Sequence, residues 1–465
     1  MQRTLRLALV TLAVLLVVPA ATVNAATRMP IGFFDDPSFR WAPDTAKNLL
    51  AAQGAHATII HVTADWAQIA PTKPANPLNG NDRAYHISDL DALVASAGQY
   101  GLEVMINISG APKWTNGGKT PNYPPKNVNT LTQFAQMLAT RYNGKTARGL
   151  VSRWSFWNEP NLGLFLMPQF EGGKIVSPGI YAKLFAAAYS GIKKGNPHAL
   201  VAAGETSNQG RDHPSSGPVS VAPATFARLL AEAAPKLKFD AWATHPYPTR
   251  PNLPPTQKVR YPNVTLTRID QFGADLQKWF NRRIPIWVTE YAEQTKPQFI
   301  GGVSYSQQAA DAKLALRMAQ ASPYVEMFVW FVIKDNPPPT WQSGLLDSKG
   351  KKKPAYNAFA STAANVVGQS QIVAPGKSPT IKVYVPFLAY HDPPGTTIGV
   401  TYKVTQGKKS LAVGQPQAKI AGADRSISFV AKFVPVKGQA YSVTVDANDK
   451  NGWQEHHVVA VTTTS

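Results

Sequence analysis

The feature that most constrains the fold is a repeated alternation of short apolar runs with longer amphipathic segments between residues 31 and 367. Eight such runs occur, each rich in branched or aromatic side chains. They occupy residues 31–34, 58–62, 102–108, 151–157, 199–203, 239–244, 284–289 and 325–332. Continuous apolar runs of this length are typical of strands that are buried on both faces of a parallel sheet.

The segments between these runs have the apolar spacing of amphipathic helices. Such segments include residues 88–100, 181–194, 225–237, 269–280 and 306–321, and a last helix is predicted at 354–367. Eight strand–helix units predict an α/β fold of the (β/α)8 type, the TIM barrel, enlarged by its loops. A doubly wound open sheet is the alternative, but no glycine-rich phosphate-binding turn follows the first strand.

The composition changes after residue 368. Residues 369–379 are rich in Gly, Pro, Ser and Lys, which predicts a linker. Beyond the linker, five runs alternate in the period of β-strands, with no helical segment between them. These runs, at 380–385, 397–404, 426–434, 440–446 and 456–462, predict a small all-β sandwich of immunoglobulin-like type over residues 380–465.

Residues 1–25 have the three parts of a secretory signal peptide. Arg3 and Arg6 precede an almost wholly apolar run at 9–18, and Val23-Asn24-Ala25 supplies the small residues that a signal peptidase needs. The run is shorter than the roughly 20 residues of a membrane-spanning helix. We therefore expect a secreted protein of bacterial type without a membrane span, whose barrel domain occupies residues 26–368.

Composition limits the chemistry that the chain can perform. None of its 465 residues is Cys, which excludes disulfide bonds, a thiolate nucleophile and cysteine-based metal sites. The net charge of +20 favours an anionic partner such as an acidic or cell-wall glycan. The cations are scattered, apart from a run at 349–353 that predicts a solvated loop, and no nucleic-acid-binding motif accompanies them. Nucleic acid is therefore not an expected partner.

Two glutamates end predicted barrel strands. Glu159 follows the fourth run in the sequence Trp157-Asn158-Glu159-Pro160, and Glu290 ends the seventh run. The active sites of such barrels form at the C-terminal ends of the strands, where strands four and seven face each other. We therefore expect two carboxyl groups to converge at the mouth. Such a pair can hydrolyse a glycosidic bond, because one carboxyl protonates the leaving oxygen while the other attacks the anomeric carbon or activates water.

These motifs resemble those of clan A glycoside hydrolases, the retaining (β/α)8 enzymes that include families 5 and 39. The resemblance covers about residues 31–367 and excludes the C-terminal region. It implies that Glu159 is the acid/base and Glu290 the nucleophile of an enzyme that cleaves β-linked polysaccharides or oligosaccharides by double displacement. It also implies that Asn158 hydrogen-bonds the sugar 2-hydroxyl and that no cofactor or metal is needed.

Other positions resemble the clan less specifically. His245-Pro246-Tyr247, at the end of strand six, is similar to the clan's His-x-Tyr, in which the tyrosine contacts the nucleophile. Trp330 on strand eight resembles the tryptophan that forms the floor of the sugar site, and Trp114 lies in a common lining motif after strand three. For His245 and for the aromatic residues, a packing role is the alternative.

Strand two departs from the family 5 pattern. Family 5 enzymes usually place an arginine there, whereas this chain has His61 and, further on, Asp65-Trp66. Either His61 or Asp65 fills that position, or the chain is nearer to family 39. Trp66 is a further candidate for contact with the substrate.

Two other carboxyl groups are weaker catalytic candidates, and a second function is also consistent with the sequence. Glu205 ends strand five and Glu293 follows Glu290, so each is a weaker catalytic candidate. A catalytically inactive carbohydrate-binding protein on the same barrel is the alternative function, because the arginine of strand two is absent. In both cases we expect a monomer whose partner is a carbohydrate, with the C-terminal region as a spacer or as a domain packed on the barrel.

Overall fold

A computed structural model describes residues 29–463 except 101, 215–216, 298–300, 338–339, 364–368, 386–387, 389–391, 408, 422–425 and 451–453. The predicted signal peptide lies outside the described residues. Eight parallel strands close into a barrel, which confirms the predicted TIM-barrel fold. They are β1 (Ile31–Phe34), β2 (Ile59–Asp65), β3 (Glu103–Ser109), β4 (Arg153–Phe156), β5 (Leu200–Ser207), β6 (Ala241–His245), β7 (Ile286–Tyr291) and β8 (Val325–Phe331).

A helix follows each barrel strand. These helices are α1 (Thr45–Gly54), α2 (Ser88–Ala97), α3 (Val128–Arg141), α4 (Ser177–Gly195), α5 (Pro223–Ala233), α6 (Ile269–Phe280), α7 (Tyr305–Ala321) and α8 (Pro354–Ala363). Proline lies in the first turn of α4 and α5, where its missing N–H costs no hydrogen bond. The loops add the short turns Pro37–Trp41, Trp66–Ile69, Gly98–Tyr100, Lys113–Asn116 and Leu266–Arg268, and a hairpin of Phe170–Glu171 with Lys174–Ile175.

The barrel strands are buried on both faces, as their continuous apolar runs predict. One set of side chains fills the barrel interior: Ile59, Met105, Ala202, Ala241, Ala243, Trp287, Met327 and Val329. The alternate set packs beneath the helices in a larger outer core. Helices α3 and α4 approach so closely that a Cβ atom at Gly191 would lie 2.3 Å from the carbonyl oxygen of Thr132. Only glycine fits at that crossing.

The C-terminal region is all-β, as predicted. Its strands are β9 (Gln369–Val373), β10 (Thr380–Tyr384), β11 (Thr397–Gln406), β12 (Lys409–Gly414), β13 (Gln417–Lys419), β14 (Ser426–Val430), β15 (Ala440–Asn448) and β16 (Gln454–Thr463). One sheet has the order β9-β16-β15-β11-β12, with β13 also paired to β11, and β10 pairs with β14 in a second sheet. Its apolar side chains form a separate core.

The prediction of a linker at 369–379 is wrong for its first five residues. Gln369–Val373 forms strand β9, which pairs in parallel with β16. Pairing with β16 covers a strand edge that would otherwise expose unpaired backbone groups. These backbone hydrogen bonds form whatever the side chains are, so the polar composition of the segment did not indicate a strand. Within the described part of the chain, no helix is both long enough and apolar enough to cross a membrane.

Candidate active site

A cavity of about 770 Å³ lies at the C-terminal ends of the barrel strands. Its wall includes residues from the ends of β1, β2, β3, β7 and β8 and from the loops after β4 and β6. Its lining residues include Phe34, Asp65, Trp157, Asn158, Glu159, Tyr247, Glu290, Phe331 and Trp341. The mouth of the barrel is therefore the place where the predicted carboxyl groups meet, as expected for this fold.

Glu159 is held in an unusual backbone conformation just beyond β4. Trp157 and Glu159 have φ values of 63° and 37°, in the left-handed region that residues with a Cβ atom rarely adopt. The loop is fixed around them, because the Trp157 indole N–H donates to the carbonyl oxygen of Phe165 at 2.5 Å. The buried Asn161 side chain also bonds the backbone of Ser207 and Val221. Strain of this kind is typical of functional sites, where the surrounding structure imposes it.

A β-bulge turns Glu290 toward the cavity. Between β7 and β8, Val288 pairs with Phe328 and Tyr291 pairs with Trp330, so β7 contains one more residue than its partner over this stretch. Such an extra residue changes the direction of the neighbouring side chains. The result is that Glu290 faces the cavity, while Tyr291 packs in the outer core.

Glu290 accepts a hydrogen bond from the Tyr247 hydroxyl, with 2.9 Å between the oxygen atoms. Burial raises the pKa of Glu290 to about 7. The charge of His245 and the Tyr247 hydrogen bond oppose this rise, whereas the negative charge of Glu159 adds to it. Burial and the nearby negative charge thus disfavour the carboxylate form of Glu290, and the Tyr247 hydrogen bond and the charge of His245 favour it.

His245 lies beneath the cavity and contacts three carboxyl groups. Its Nδ1 atom is 3.0 Å from Oε1 of Glu159 and 3.7 Å from Oε2 of Glu290, and its Nε2 atom is 2.7 Å from Oε2 of Glu205. Burial alone would lower the pKa of His245, but the charges of Glu290 and Glu205 and the hydrogen bonds to Glu159 and Glu205 raise it well above the usual value. The structure thus brings Glu159 and Glu290 to one ring nitrogen.

The structure also brings Asn158 and Tyr247 to the cavity wall, next to the two glutamates. His61 is buried, with its Nδ1 atom 3.3 Å from the carbonyl oxygen of Thr289, and burial lowers its pKa. His61 is not among the described lining residues of the cavity, whereas Asp65 is. Asp65 accepts hydrogen bonds from the backbone N–H and the side-chain amide of Gln68. Of the two candidates for the missing arginine's position, Asp65 is therefore the one in the cavity.

Three of the predicted aromatic residues lie off the described cavity wall, because their rings pack locally. Trp330 points away from the barrel interior and packs in the outer core. There it contacts Tyr291 and Phe359 and donates its indole N–H to the carbonyl oxygen of Ser343. Side chains alternate along a strand, so its neighbour Phe331 faces the cavity instead. Trp66 stacks on Phe134 of α3, and Trp114 packs on Trp66 and donates to the carbonyl oxygen of Ala70.

Phe331 and Trp341 are among the aromatic residues of the cavity wall that the sequence arguments missed. Trp341 is 41% exposed; its ring lies edge-on to Phe331 and roughly parallel to Tyr247. The loop that carries it is anchored by Lys353, whose buried ammonium group contacts Asp335, Thr295 and the carbonyl oxygen of Gln342. The prediction that residues 349–353 form a solvated loop is therefore wrong for Lys353. The sequence signal for Trp341 was a tryptophan that follows a segment of Asn and Pro, which is typical of a loop.

A closed (β/α)8 barrel with two carboxyl groups at its mouth defines the class of the protein: it has the architecture of the clan A glycoside hydrolases. Residues 25–335 match the family Cellulase (glycosyl hydrolase family 5), and the chain belongs to this family. A comparison with curated proteins gave no significant sequence match. In the described part of the chain, no three His, Asp or Glu side chains are arranged to hold a metal ion.

Solved structures with the same fold come from several glycoside hydrolase families. A family 39 glycoside hydrolase from Bacteroides cellulosilyticus WH2 is 17% identical, with a TM-score of 0.51 over 87% of this chain and 81% of that one. The GH39 enzyme from Xanthomonas axonopodis pv. citri is 15% identical, with a TM-score of 0.52 over 92% and 96%. GH5_18 from Streptomyces cattleya, solved with GlcNAc, is 17% identical, with a TM-score of 0.53 over 76% and 86%. At these identities the likeness concerns the fold.

Proposed function

We propose that the protein is a retaining glycoside hydrolase that cleaves β-linked oligosaccharides or polysaccharides by double displacement. In the first step, Glu159 protonates the leaving oxygen while Glu290 attacks the anomeric carbon and forms a glycosyl ester. In the second step, Glu159 removes a proton from water, and the water oxygen displaces Glu290. The observation that carries this proposal is the convergence of both glutamates on Nδ1 of His245. Double displacement requires a short separation between the two carboxyl groups, and their approach to one nitrogen atom supports it over a water-mediated displacement.

The cavity wall supports a role for each neighbouring residue. Asn158 lies beside Glu159, where its amide would bond the sugar 2-hydroxyl. Tyr247 donates to Glu290, which stabilises the charged nucleophile and orients its other oxygen. Phe331 and Trp341 present ring faces and edges to the cavity, and apolar faces of sugar rings pack well on such surfaces.

We expect Trp341→Ala to raise KM for an oligosaccharide by about 2- to 12-fold, because one aromatic contact contributes about 0.5–1.5 kcal/mol. The kcat value should change by less than about twofold, since Trp341 touches neither glutamate. Initial rates across a range of substrate concentrations measure both constants. Trp41→Ala is the matched control, because Trp41 is 56% exposed and lies off the cavity wall. Equal KM values in both variants would remove Trp341 from the substrate site.

The charges of the cavity favour a neutral sugar rather than the acidic glycan that the net charge of +20 suggests. Asp65, Glu159 and Glu290 line the cavity, whereas no Lys or Arg occurs among its described lining residues. The carboxylate of a uronic acid would meet like charges without a Lys or Arg on the described wall to offset them. Juxtaposed like charges at a binding site cost several kcal/mol.

We therefore expect kcat/KM for neutral aryl β-glycosides to exceed that for the matching aryl β-glucuronide by about 100-fold or more. A panel of aryl β-glycosides and β-glycans, assayed by release of the aryl group or of reducing ends, measures this ratio. Proton NMR of the first product formed should show the β-anomer, since two displacements retain configuration. An α-anomer as first product would contradict the nucleophilic role of Glu290, and a preference for the glucuronide would contradict the neutral substrate.

Three further proposals concern features outside the active site. The signal-like sequence at residues 1–25 supports secretion, and the predicted state is a monomer. The C-terminal strands support an immunoglobulin-like sandwich, because β9 pairs in parallel with β16 while the other pairs of that sheet are antiparallel. Chromatography of the secreted protein and amino-terminal sequencing would test export and oligomeric state.

A further inference from the structure

Glu205 is a buried carboxyl group that the double-displacement mechanism does not use. Its side chain is 1% exposed, and it lies on β5, two strands away from Glu290 in the barrel. Its Oε2 atom accepts a hydrogen bond from the Thr289 hydroxyl at 2.6 Å and lies 2.7 Å from Nε2 of His245. The carboxyl group therefore reaches the site through His245 and contacts neither Glu159 nor Glu290 directly.

The backbone of β5 is distorted at this point. Gly204 pairs with Ala243 and Thr206 with Thr244, so Glu205 is an extra residue on β5. Glu205 has a φ of 50°, and the preceding Gly204 has a φ of 103°. A Cβ atom at Gly204 would lie 2.6 Å from the carbonyl oxygen of Ala243. A strained glutamate at a bulge turns inward only where its side chain has a partner, and here that partner is His245.

The contact between Glu205 and His245 determines the charge of both groups. Burial alone would raise the pKa of Glu205, but the hydrogen bond and charge of His245 lower it to about 2. Glu205 is thus a permanent carboxylate and His245 is its cation. His61, the other histidine nearby, is not a competing cation, because burial lowers its pKa. The titratable groups that face His245 are His61 from β2, Glu159 from the loop after β4, Glu205 from β5, Tyr247 after β6 and Glu290 from β7.

We propose that Glu205 is a positioning residue that keeps His245 doubly protonated, so that its Nδ1–H donates to whichever catalytic carboxyl is charged. This inference rests on the proposed function. Before the first displacement the negative charge is on Glu290, and in the glycosyl-enzyme it is on Glu159, because Glu159 has given its proton to the leaving group. In the second step, Glu159 takes a proton from water and Glu290 regains its charge. His245 gains and loses no proton in either step.

The geometry suits this alternation. Nδ1 of His245 lies 3.0 Å from Glu159 and 3.7 Å from Glu290, so a small tilt of the ring moves the hydrogen bond from one carboxyl to the other. A neutral imidazole with its one proton directed at Glu205 would have no Nδ1–H to donate. The alternation therefore requires the second proton, and the carboxylate of Glu205 stabilises it.

Glu205→Gln tests the inference, because the amide oxygen can still accept from Nε2 while the negative charge is lost. Removal of a charge at this distance lowers the pKa of its partner by about 1–3 units. We expect the alkaline limb of the kcat/KM profile to move to lower pH, since His245 loses its Nδ1 proton earlier as the pH rises. We also expect kcat at pH 7 to fall by about 10- to 100-fold, with KM within twofold of the wild type.

Glu293→Gln is the matched control. Glu293 is also buried, but it contacts Tyr291 rather than His245. Its pH profile should coincide with that of the wild type. A Glu205→Gln profile that also coincides would overturn the inference while the hydrolase function stands.

NMR of the wild type provides a test that does not depend on the activity of a variant. With ¹⁵N-labelled histidine, both ring nitrogens of His245 should have the shifts of protonated nitrogen from pH 5 to pH 9; the signal is assigned by its absence in His245→Asn. A neutral ring at pH 7 would overturn the inference. If the wild type hydrolyses no glycoside, the proposed function fails, and the NMR titration still reports the protonation state of His245.

Discussion

Glu290→Ala is expected to lower kcat for aryl β-glycosides by about 10⁵-fold or more, the scale of loss seen when an enzyme nucleophile is removed. The physical reason is that neither of the other two glutamates next to His245 can take its place. Glu159 is committed to the leaving oxygen, and Glu205 is enclosed beneath His245. Initial rates with a nitrophenyl β-glycoside measure the loss. Glu293→Gln is the control here too, because it changes a buried carboxyl three residues along the same segment.

Azide distinguishes a lost nucleophile from a damaged fold. In Glu290→Ala the small side chain leaves space for azide to attack the anomeric carbon from the face that Glu290 used. A single displacement inverts configuration, so the product should be the α-glycosyl azide. Rescue with this stereochemistry would establish the role of Glu290. Near-wild-type activity of the variant without azide would show that another group attacks the sugar.

The barrel itself could be predicted from the sequence because strand burial leaves a direct trace. A strand that is covered by helices on one side and by the barrel interior on the other must be apolar throughout. The apolar run at 31–34, for example, coincides with β1. Positions at the strand ends were predictable for the same reason. Glu159 and Glu290 are charged residues at the ends of apolar strands, which the fold places at the mouth.

The orientation of individual side chains was harder to predict. Trp330 and Phe331 are adjacent, and a shift of one residue exchanges the outer core for the cavity. Bulges add a second uncertainty. The extra residues at Glu205 on β5 and near Glu290 on β7 break the alternation, and their positions depend on pairing with neighbouring strands rather than on local sequence.

Contacts between distant residues account for most of what the sequence left open. Glu205 and His245 are separated by 40 positions, and Glu159 and His245 by 86. No local pattern distinguishes Glu205 from a solvated carboxyl at a strand end. Lys353 shows the same limit, since it ends a run of lysines yet is buried against Asp335. The short strands β12 and β13 were missed because most of their residues are exposed and lack a clear alternation.

The second large effect is expected for Glu159→Ala, and its size should depend on the leaving group. A general acid contributes about 10²–10⁴-fold when the leaving oxygen must be protonated. We therefore expect kcat/KM for an oligosaccharide to fall by about that factor. For a dinitrophenyl glycoside, whose leaving group departs without a proton, kcat/KM should stay within about tenfold of the wild type. Parallel assays of the two substrates measure the difference.

The same variant should accumulate the glycosyl-enzyme, because in the proposed mechanism Glu159 is also the base that activates water in the second displacement. A burst of dinitrophenolate followed by slow turnover is then expected, and mass spectrometry should detect a sugar on Glu290. Azide attacks the intermediate without needing a base, so it should restore turnover and give the β-glycosyl azide. The products of the two alanine variants thus differ in configuration. If Glu159→Ala also gave the α-azide, the roles of the two glutamates would have to be exchanged.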